Sequence, residues 1–321
     1  MIESGRRQSL GKRIWKNRWV YLFLLPGIAF VLLFCYGPMY GLVVAFKDYK
    51  ISKGILGSPW ANPWYNNFAM MFKDKKFNAA FFNTIRMGLA YIITGFPGPI
   101  ILALLLKFPF TILFALLLNE LRSRHYKNTL QVIYTFPNFL SWVIVGGLMT
   151  TIFAGEGVIN SLIRASGGQT YGFLTDKSLI RPLLYATSIW KGTGWSAILY
   201  LAGIAGISPE LYEAAEVDGA NRFHKMWYIT WPEIRSTAVI LLILAFGGIM
   251  SKGYDQILNM TNAVVRDAAE TIDTYIYRIT FQEKPKYGFS TAIGLSKSVI
   301  NFAFLLLANK LAKALGEGGI M

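Results

Sequence analysis

Thiol, imidazole and carboxylate are all scarce in this 321-residue chain, which has one Cys, two His and 17 acidic residues against 32 Lys and Arg. A single cysteine, Cys35, excludes an intrachain disulfide and a cysteine-based metal site. His125 and His224 stand in separate polar stretches without a metal-ligand pattern around them, so no metal and no bound cofactor are expected. No Gly-Lys-Ser or Gly-Lys-Thr occurs, which removes the phosphate-binding loop of an ATPase. Charge is short as well: 15% of residues carry it, where a soluble domain has about 25%.

Apolar residues fill the space, 54% of the chain in long runs, as in a helical membrane protein with several spans. A net charge of +15 suggests nucleic acid at first sight. Membrane proteins, however, retain Lys and Arg on their cytoplasmic side, and Arg6, Arg7, Lys12, Arg13, Lys16 and Arg18 abut the first apolar run against a single Glu3. No nucleic-acid partner is expected, and the N-terminus is placed in the cytoplasm. The run at 19–46 is too long for a signal peptide and lacks a small-residue cleavage site, so it reads as a retained span.

A crossing takes about 20 apolar residues over roughly 30 Å of hydrocarbon. Six candidates follow, at about 20–46, 82–118, 130–153, 180–205, 236–257 and 288–309. Residues 119–128, 206–235 and 310–321 then lie inside, and 47–81, 154–179 and 258–287 outside. The chain divides into a basic cytoplasmic segment (1–19), a six-span domain (20–309) and a cytoplasmic tail (310–321). Arg122, Arg124 and Lys127 suit an inside loop, although the first outer loop also carries Lys47, Lys50, Lys53, Lys73, Lys75 and Lys76. The second candidate is anomalous. As one helix it would measure about 55 Å, and it repeats itself at a 12-residue offset, Phe96-Pro97 to Leu106 and Phe108-Pro109 to Leu118. Residues 108–118 are too few for a further crossing, so we expect one crossing with a long or broken cytoplasmic end, kinked by Pro97, Pro99 and Pro109. An extra crossing would instead turn 206–235 outside.

That loop, 206–235, is the most informative stretch. Ser208 suits an N-cap, Pro209 the first helical position and Glu210 the first turn, so a short helix should run through Glu213, Ala214 and Ala215 to about Val217. Asp218-Gly219 breaks it, and a second helix from about Asn221 to Ile229 should end before Pro232, where the chain re-enters the membrane. Small Ala side chains let a partner backbone approach, and Leu211, Tyr212, Phe223, Met226 and Trp227 supply apolar knobs. A helix lying on lipid headgroups is the bland alternative, but it has no need of a central Gly.

Glu213-Ala214-Ala215, with Gly219 four residues on, Ile229 ten further and Pro232 three beyond, resembles the EAA loop of binding-protein-dependent ABC importer permeases. Trp231 stands where that family usually has Leu. Asn83-Thr84, the stretch from Phe136-Pro137-Asn138 to Trp142, and Trp190-Lys191-Gly192-Thr193-Gly194-Trp195 are similar to its sugar-transport branch, nearest the complex-oligosaccharide, rhamnogalacturonan-type permeases of Gram-positive bacteria. The resemblance implies a type I importer fold in a bacterial plasma membrane, with both termini cytoplasmic. It implies a second permease subunit forming a heterodimer, an ABC ATPase dimer that uses ATP and Mg, an extracellular lipid-anchored binding protein, and an oligosaccharide substrate. Glu213, Ala214, Ala215, Asp218, Gly219, Ile229 and Pro232 would then couple to the ATPase.

Charged side chains deep in a span cost about 2.5–3.5 kcal/mol and usually face the interior or water. Arg86 and Lys107 read as snorkelling, and Lys252 is balanced between the two readings. Lys191 lies mid-span between tryptophans, and aromatic faces with charged groups suit sugars. Trp190, Lys191 and Trp195 therefore line the pathway or else pack between subunits. Lys297 and Asn301 share a helix face, and Tyr254 beside Asp255 is a weaker candidate. The basic outer side and Lys191 would draw an acidic, uronic-acid-containing oligosaccharide. The rival is an integral-membrane enzyme acting on lipid-linked sugar, for which Glu210, Glu213, Glu216 and Asp218 offer carboxylates but no metal-ligand pattern. A passive channel would leave the broken loop without purpose.

Overall fold

The computed structural model describes residues 15–95, 129, 132–314 and 316. Basic residues 6–13, the repeat at 96–118 with Lys107, and the loop at 119–128 with His125 lie outside the described residues. Among those described, regular structure is helical, and one isolated antiparallel bridge joins Lys47 to Trp60.

Helix α1 (Arg18–Phe30) continues through a π turn (Val31–Tyr36) into a 3-10 stretch (Gly37–Phe46). Pro38 supplies no N–H to an α-helical ladder, and the winding changes around it. No residue of α1 is buried, though it is apolar on every side, as suits a helix facing lipid. The described residues up to Met70, together with Lys286–Leu295, form one compact unit. At its centre Lys47 is buried, donating from Nζ to the carbonyls of Ile55 (2.7 Å) and Ser58 (3.0 Å) and lying 5.1 Å from the Trp60 ring. The Asn67 amide donates to the carbonyls of Ala45 (2.9 Å) and Lys47 (3.1 Å). Lys47 therefore closes a loop and does not belong to the exposed basic field expected of 47–81. Helix α2 (Asn66–Lys73) follows.

A second unit comprises Met71–Pro285 and the described residues from Ser296 onward. It contains α3 (Lys75–Gly95), α4 (Trp142–Phe153), α5 (Val158–Ala165) and α6 (Ile180–Ala205). After them come α7 (Pro209–Val217), α8 (Arg222–Lys225), α9 (Trp231–Gly247), α10 (Tyr254–Met260), α11 (Arg266–Ala269) and α12 (Ile272–Tyr277). Helix α13 (Tyr287–Ala314) closes the chain. Along α6 the buried positions 180, 184, 187, 191, 194, 197, 200 and 204 recur every three or four residues, one stripe of a helix. Ile180 and Leu184 enter a core with Met87, Val145 and Ile257, while Ala197, Tyr200 and Ile204 enter another with Ile234 and Ala238.

Asn83 and Thr84 tie α3 to the chain around α11. Asn83 Nδ2 donates to the carbonyls of Asp267 (2.9 Å) and Glu270 (3.2 Å), and Thr84 Oγ1 accepts from Ile272 N–H at 2.8 Å. Arg181 joins them, donating to Ala268 O at 2.8 Å and to Asn83 Oδ1 at 3.0 Å. Below α11, Arg278 grips Glu270 through two hydrogen bonds of 2.7 and 2.8 Å and also pairs with Glu283.

Four helical stretches among the described residues are long and apolar enough to cross a membrane: Arg18–Phe46, Trp142–Ala165, Arg222–Gly247 and Tyr287–Ala314. Where a span is expected at 180–205 the chain forms the 26-residue helix α6, which is not among these four. Its central polar run, Lys191 to Ser196, dilutes its hydropathy. Two expectations are corrected. Tyr254 and Asp255 do not end the fifth span, because that helix stops at Gly247 and Gly253, at φ +79°, starts α10 afresh. The third span does not run unbroken from 130, because Pro137 sits in a 3-10 turn (Phe136–Phe139) before α4.

Close helix approach in a membrane needs small residues, and Gly146 fills that role. A Cβ there would lie 2.7 Å from Asn259 O, whereas one on the neighbouring Gly147 would meet nothing within 4 Å. Gly146→Ala should lower stability in detergent by about 1–3 kcal/mol through overpacking. Gly147→Ala should leave it unchanged or raise it by up to about 1 kcal/mol. Equal thermal midpoints for the two variants would contradict this packing.

Candidate functional site

The 208–232 segment folds as two short helices, α7 and α8, followed by a π turn. Ser208 occupies the N-cap position of α7 without a side-chain hydrogen bond, and Pro209 takes the first turn. The helix ends in a Schellman motif, in which Ala220 N–H donates to Ala215 O at 2.8 Å and Gly219 N–H to Glu216 O at 3.0 Å. Gly219 has φ +75°, a left-handed conformation that costs a residue with a Cβ about 1–2 kcal/mol. The EAA-type Gly is thus required by backbone geometry. Asn221 immediately caps α8, its Oδ1 accepting from His224 N–H at 2.9 Å.

Two latches cross the corner. The buried Lys225 ammonium pairs with the Glu216 carboxylate, and Tyr212 Oη meets the fully buried Thr230 Oγ1 at 2.9 Å. Tyr212, Ile229 and Trp231 pack against the core that joins α6 and α9, which accounts for a bulky apolar residue at 231. Glu213, Ala214, Asp218, Gly219 and Pro232 are exposed, and Ala215 is half-buried. Leu211, Val217 (89% exposed), Phe223, Trp227 (63%) and Tyr228 also face outward, so the corner presents an apolar surface.

Pro232 does not end the second helix as expected. From α8 the chain winds through a π turn (Met226–Thr230) directly into α9, with Pro232 in the first turn of α9. A change from π to α winding leaves backbone amides without a ladder partner at the junction, so a residue lacking N–H fits there.

Elsewhere in the second unit lies a cavity of about 370 Å³, whose walls include Tyr91, Trp142, Ser188, Thr193, Lys252 and Gln256. Gln256 is rigidly held, donating to Leu184 O (2.6 Å) and Thr187 Oγ1 (2.8 Å) and accepting from Tyr91 Oη (2.9 Å). None of the six pathway candidates lines this cavity. Lys191 is buried on the neighbouring stripe of α6, donating to Asn138 O (2.7 Å) and Pro137 O (3.3 Å), with Trp142 5.5 Å away. Trp195 stacks edge-on to Phe139 at 5.9 Å, and Trp190 is exposed. Lys297 pairs with Asp273, and Asn301 accepts from Met250 N–H (3.0 Å) and donates to Ser251 Oγ (3.2 Å). Tyr254 meets Tyr277 at 6.2 Å.

Sequence reasoning missed the cavity wall and the Glu216–Lys225 latch. A signal for the wall existed: Ser188, Gly192, Thr193 and Ser196 recur at one helical face of α6.

The family described as binding-protein-dependent transport system inner membrane component matches residues 107–317. The chain is 39% identical to protein LplB of Bacillus subtilis (strain 168), over all of this chain and 96% of that protein. It is also 39% identical to the polygalacturonan/rhamnogalacturonan transport system permease protein YteP of the same organism, over all of this chain and 95% of that one. Among solved structures, a bacterial alginate ABC transporter in complex with alginate pentasaccharide-bound periplasmic protein contains a chain with TM-score 0.84 and 33% identity, covering 98% of this chain and 100% of that one. A bacterial ABC transporter involved in the import of the acidic polysaccharide alginate aligns with TM-score 0.84 and 33% identity, over 96% of this chain and 99% of that one.

The hydrogen bond and charge of Lys225 hold the Glu216 carboxyl below the usual carboxylate range. A depressed folded-state value means that the latch is intact above the ordinary glutamate range and opens only as pH falls through the lowered value. Spin labels at the exposed positions 217 and 228 should keep one distance distribution from about pH 8 down to the ordinary glutamate range and broaden only below it. A transition near neutrality would contradict the latch.

Proposed function

Because the chain belongs to the binding-protein-dependent transport system inner membrane components, we propose that the corner of α7 and α8 is where this non-catalytic permease subunit receives force from an ABC ATPase dimer. One observation carries the reading: an exposed apolar corner, locked by the Gly219 cap and the Glu216–Lys225 pair, runs without interruption into a helix long enough to cross the membrane. A partner burying Leu211, Phe223 and Trp227 would act on α9 directly. Glu213, Ala214, Ala215, Asp218 and Gly219 lie on the side offered to that partner, and Ile229 and Pro232 seat the corner on the bundle.

In this reading the chain crosses six times with both termini cytoplasmic, and the corner faces the cytoplasm. Residues 1–19 and 310–321 flank the membrane domain. ATP and Mg are used by the ATPase dimer alone. A second permease subunit completes a heterodimer, and a lipid-anchored binding protein delivers the substrate from outside. The substrate is an oligosaccharide, acidic ones included, as the polygalacturonan/rhamnogalacturonan and alginate relatives suggest. Substrate passes along the cavity face of α6, which adjoins Lys191. Trp190, Trp195, Tyr254, Lys297 and Asn301 shape the surrounding pathway.

The test is purification of the chain with its co-expressed neighbours, followed by uptake in proteoliposomes. An ATPase should copurify with the wild type. Glu213→Ala and Gly219→Pro should each lose ATPase retention or at least tenfold in uptake while the chain still reaches the membrane. Unchanged retention and uptake in both variants would sink the coupling assignment.

A further inference from the structure

Among the described residues, internal cations are matched almost everywhere. Lys47 and Lys191 are held by carbonyls, Lys225 by Glu216, Arg278 by Glu270 and Glu283, and Lys297 by Asp273. Lys252 differs. It is half-buried in the wall of the 370 Å³ cavity, and among the described residues its ammonium makes no hydrogen bond and no ion pair. Among the described residues no acidic side chain lines that cavity, and Lys252 is the one charged residue in its wall. An ammonium withdrawn from water without a counter-charge is costly, and an anion entering the cavity would relieve that cost.

The backbone around it is fixed. Lys252 lies between the 3-10 turn Ile249–Ser251 and Gly253, whose left-handed φ and closeness to Tyr91 (a Cβ would stand 3.0 Å from the ring) leave little room for adjustment. The rest of the wall has the chemistry of a sugar ring: Tyr91 and Trp142 offer aromatic surface, and Ser188, Thr193 and Ser196 offer hydroxyls. The Thr193 oxygen is buried with no partner in the protein. We infer that Lys252 pairs with the carboxylate of a uronic-acid residue as the glycan passes, and so selects acidic oligosaccharides over neutral ones of the same shape. This rests on the oligosaccharide reading above and adds the residue that reads the charge.

The discriminating experiment compares uptake of a trigalacturonate and its carboxyl-reduced, neutral counterpart by the assembled transporter in proteoliposomes. Wild type should favour the acid by about tenfold or more, the value of one charge-assisted contact. Lys252→Met should bring the ratio near one while neutral uptake persists, and Lys252→Arg should preserve the preference. If Lys252→Met does not assemble, Lys252→Gln takes its place in the same comparison. An unchanged acid-to-neutral ratio in the neutral variant overturns the inference, and is the result expected if a lipid phosphate is what Lys252 meets. Equal wild-type uptake of both sugars overturns it too. If wild type moves neither trisaccharide, the oligosaccharide reading itself fails, a result distinct from the other two.

Discussion

A helix that runs without an intervening loop from Arg222 to Gly247, its winding passing through one π turn, is the constraint on which the rest depends. These 26 residues span about 39 Å at 1.5 Å per residue. In hydrocarbon, each orphaned backbone group costs several kcal/mol, so such a helix moves as a rod sooner than it unravels. One end carries α8 and its latches. The other end contributes Leu241 and Ala245 to the cavity wall and stops just short of Lys252. In the proposed coupling, a displacement at the corner would therefore reach the cavity with no relay of side chains between them.

The remaining polar groups act as fixtures for this rod and its neighbours. Asn83, Thr84 and Arg181 hold the chain around α11, and Asn301 takes up Met250 N–H just beyond the rod's end. Gln256 satisfies three partners at once. Each fixture answers a backbone or side-chain group that lipid could not solvate. Against that background a cation with no partner among the described residues stands apart from ordinary packing.

Local chemistry made the corner readable from sequence. Caps, a first-turn Pro and a left-handed Gly each act within a few residues, so Pro209, Asp218-Gly219 and Asn221 marked α7 and α8 closely. Pro232 misled for the same reason: its local meaning is a stop, and only the winding of the residues before it shows that no amide is needed there. Lysines were the hardest to read. Lys47, Lys191 and Lys252 all follow or adjoin apolar runs, yet one closes a loop, one pins the Phe136–Phe139 turn and one faces a cavity. The difference lies in which carbonyls the tertiary fold brings near, and no periodicity records that. Repeat 96–118, the other open point in the sequence, falls outside the described residues.

The π turn at Met226–Thr230 has a consequence for how the corner is aimed. A π turn holds about one residue more than the α turn it replaces, and each helical residue corresponds to about 100° of rotation. The bearing of Phe223 and Trp227 relative to α9 is thus written in a residue count and not in any single contact. Lengthening or shortening that turn by one would swing the apolar face to another quarter of the compass while leaving every cap and latch side chain in the sequence. In the proposed coupling the direction of docking is a matter of phase.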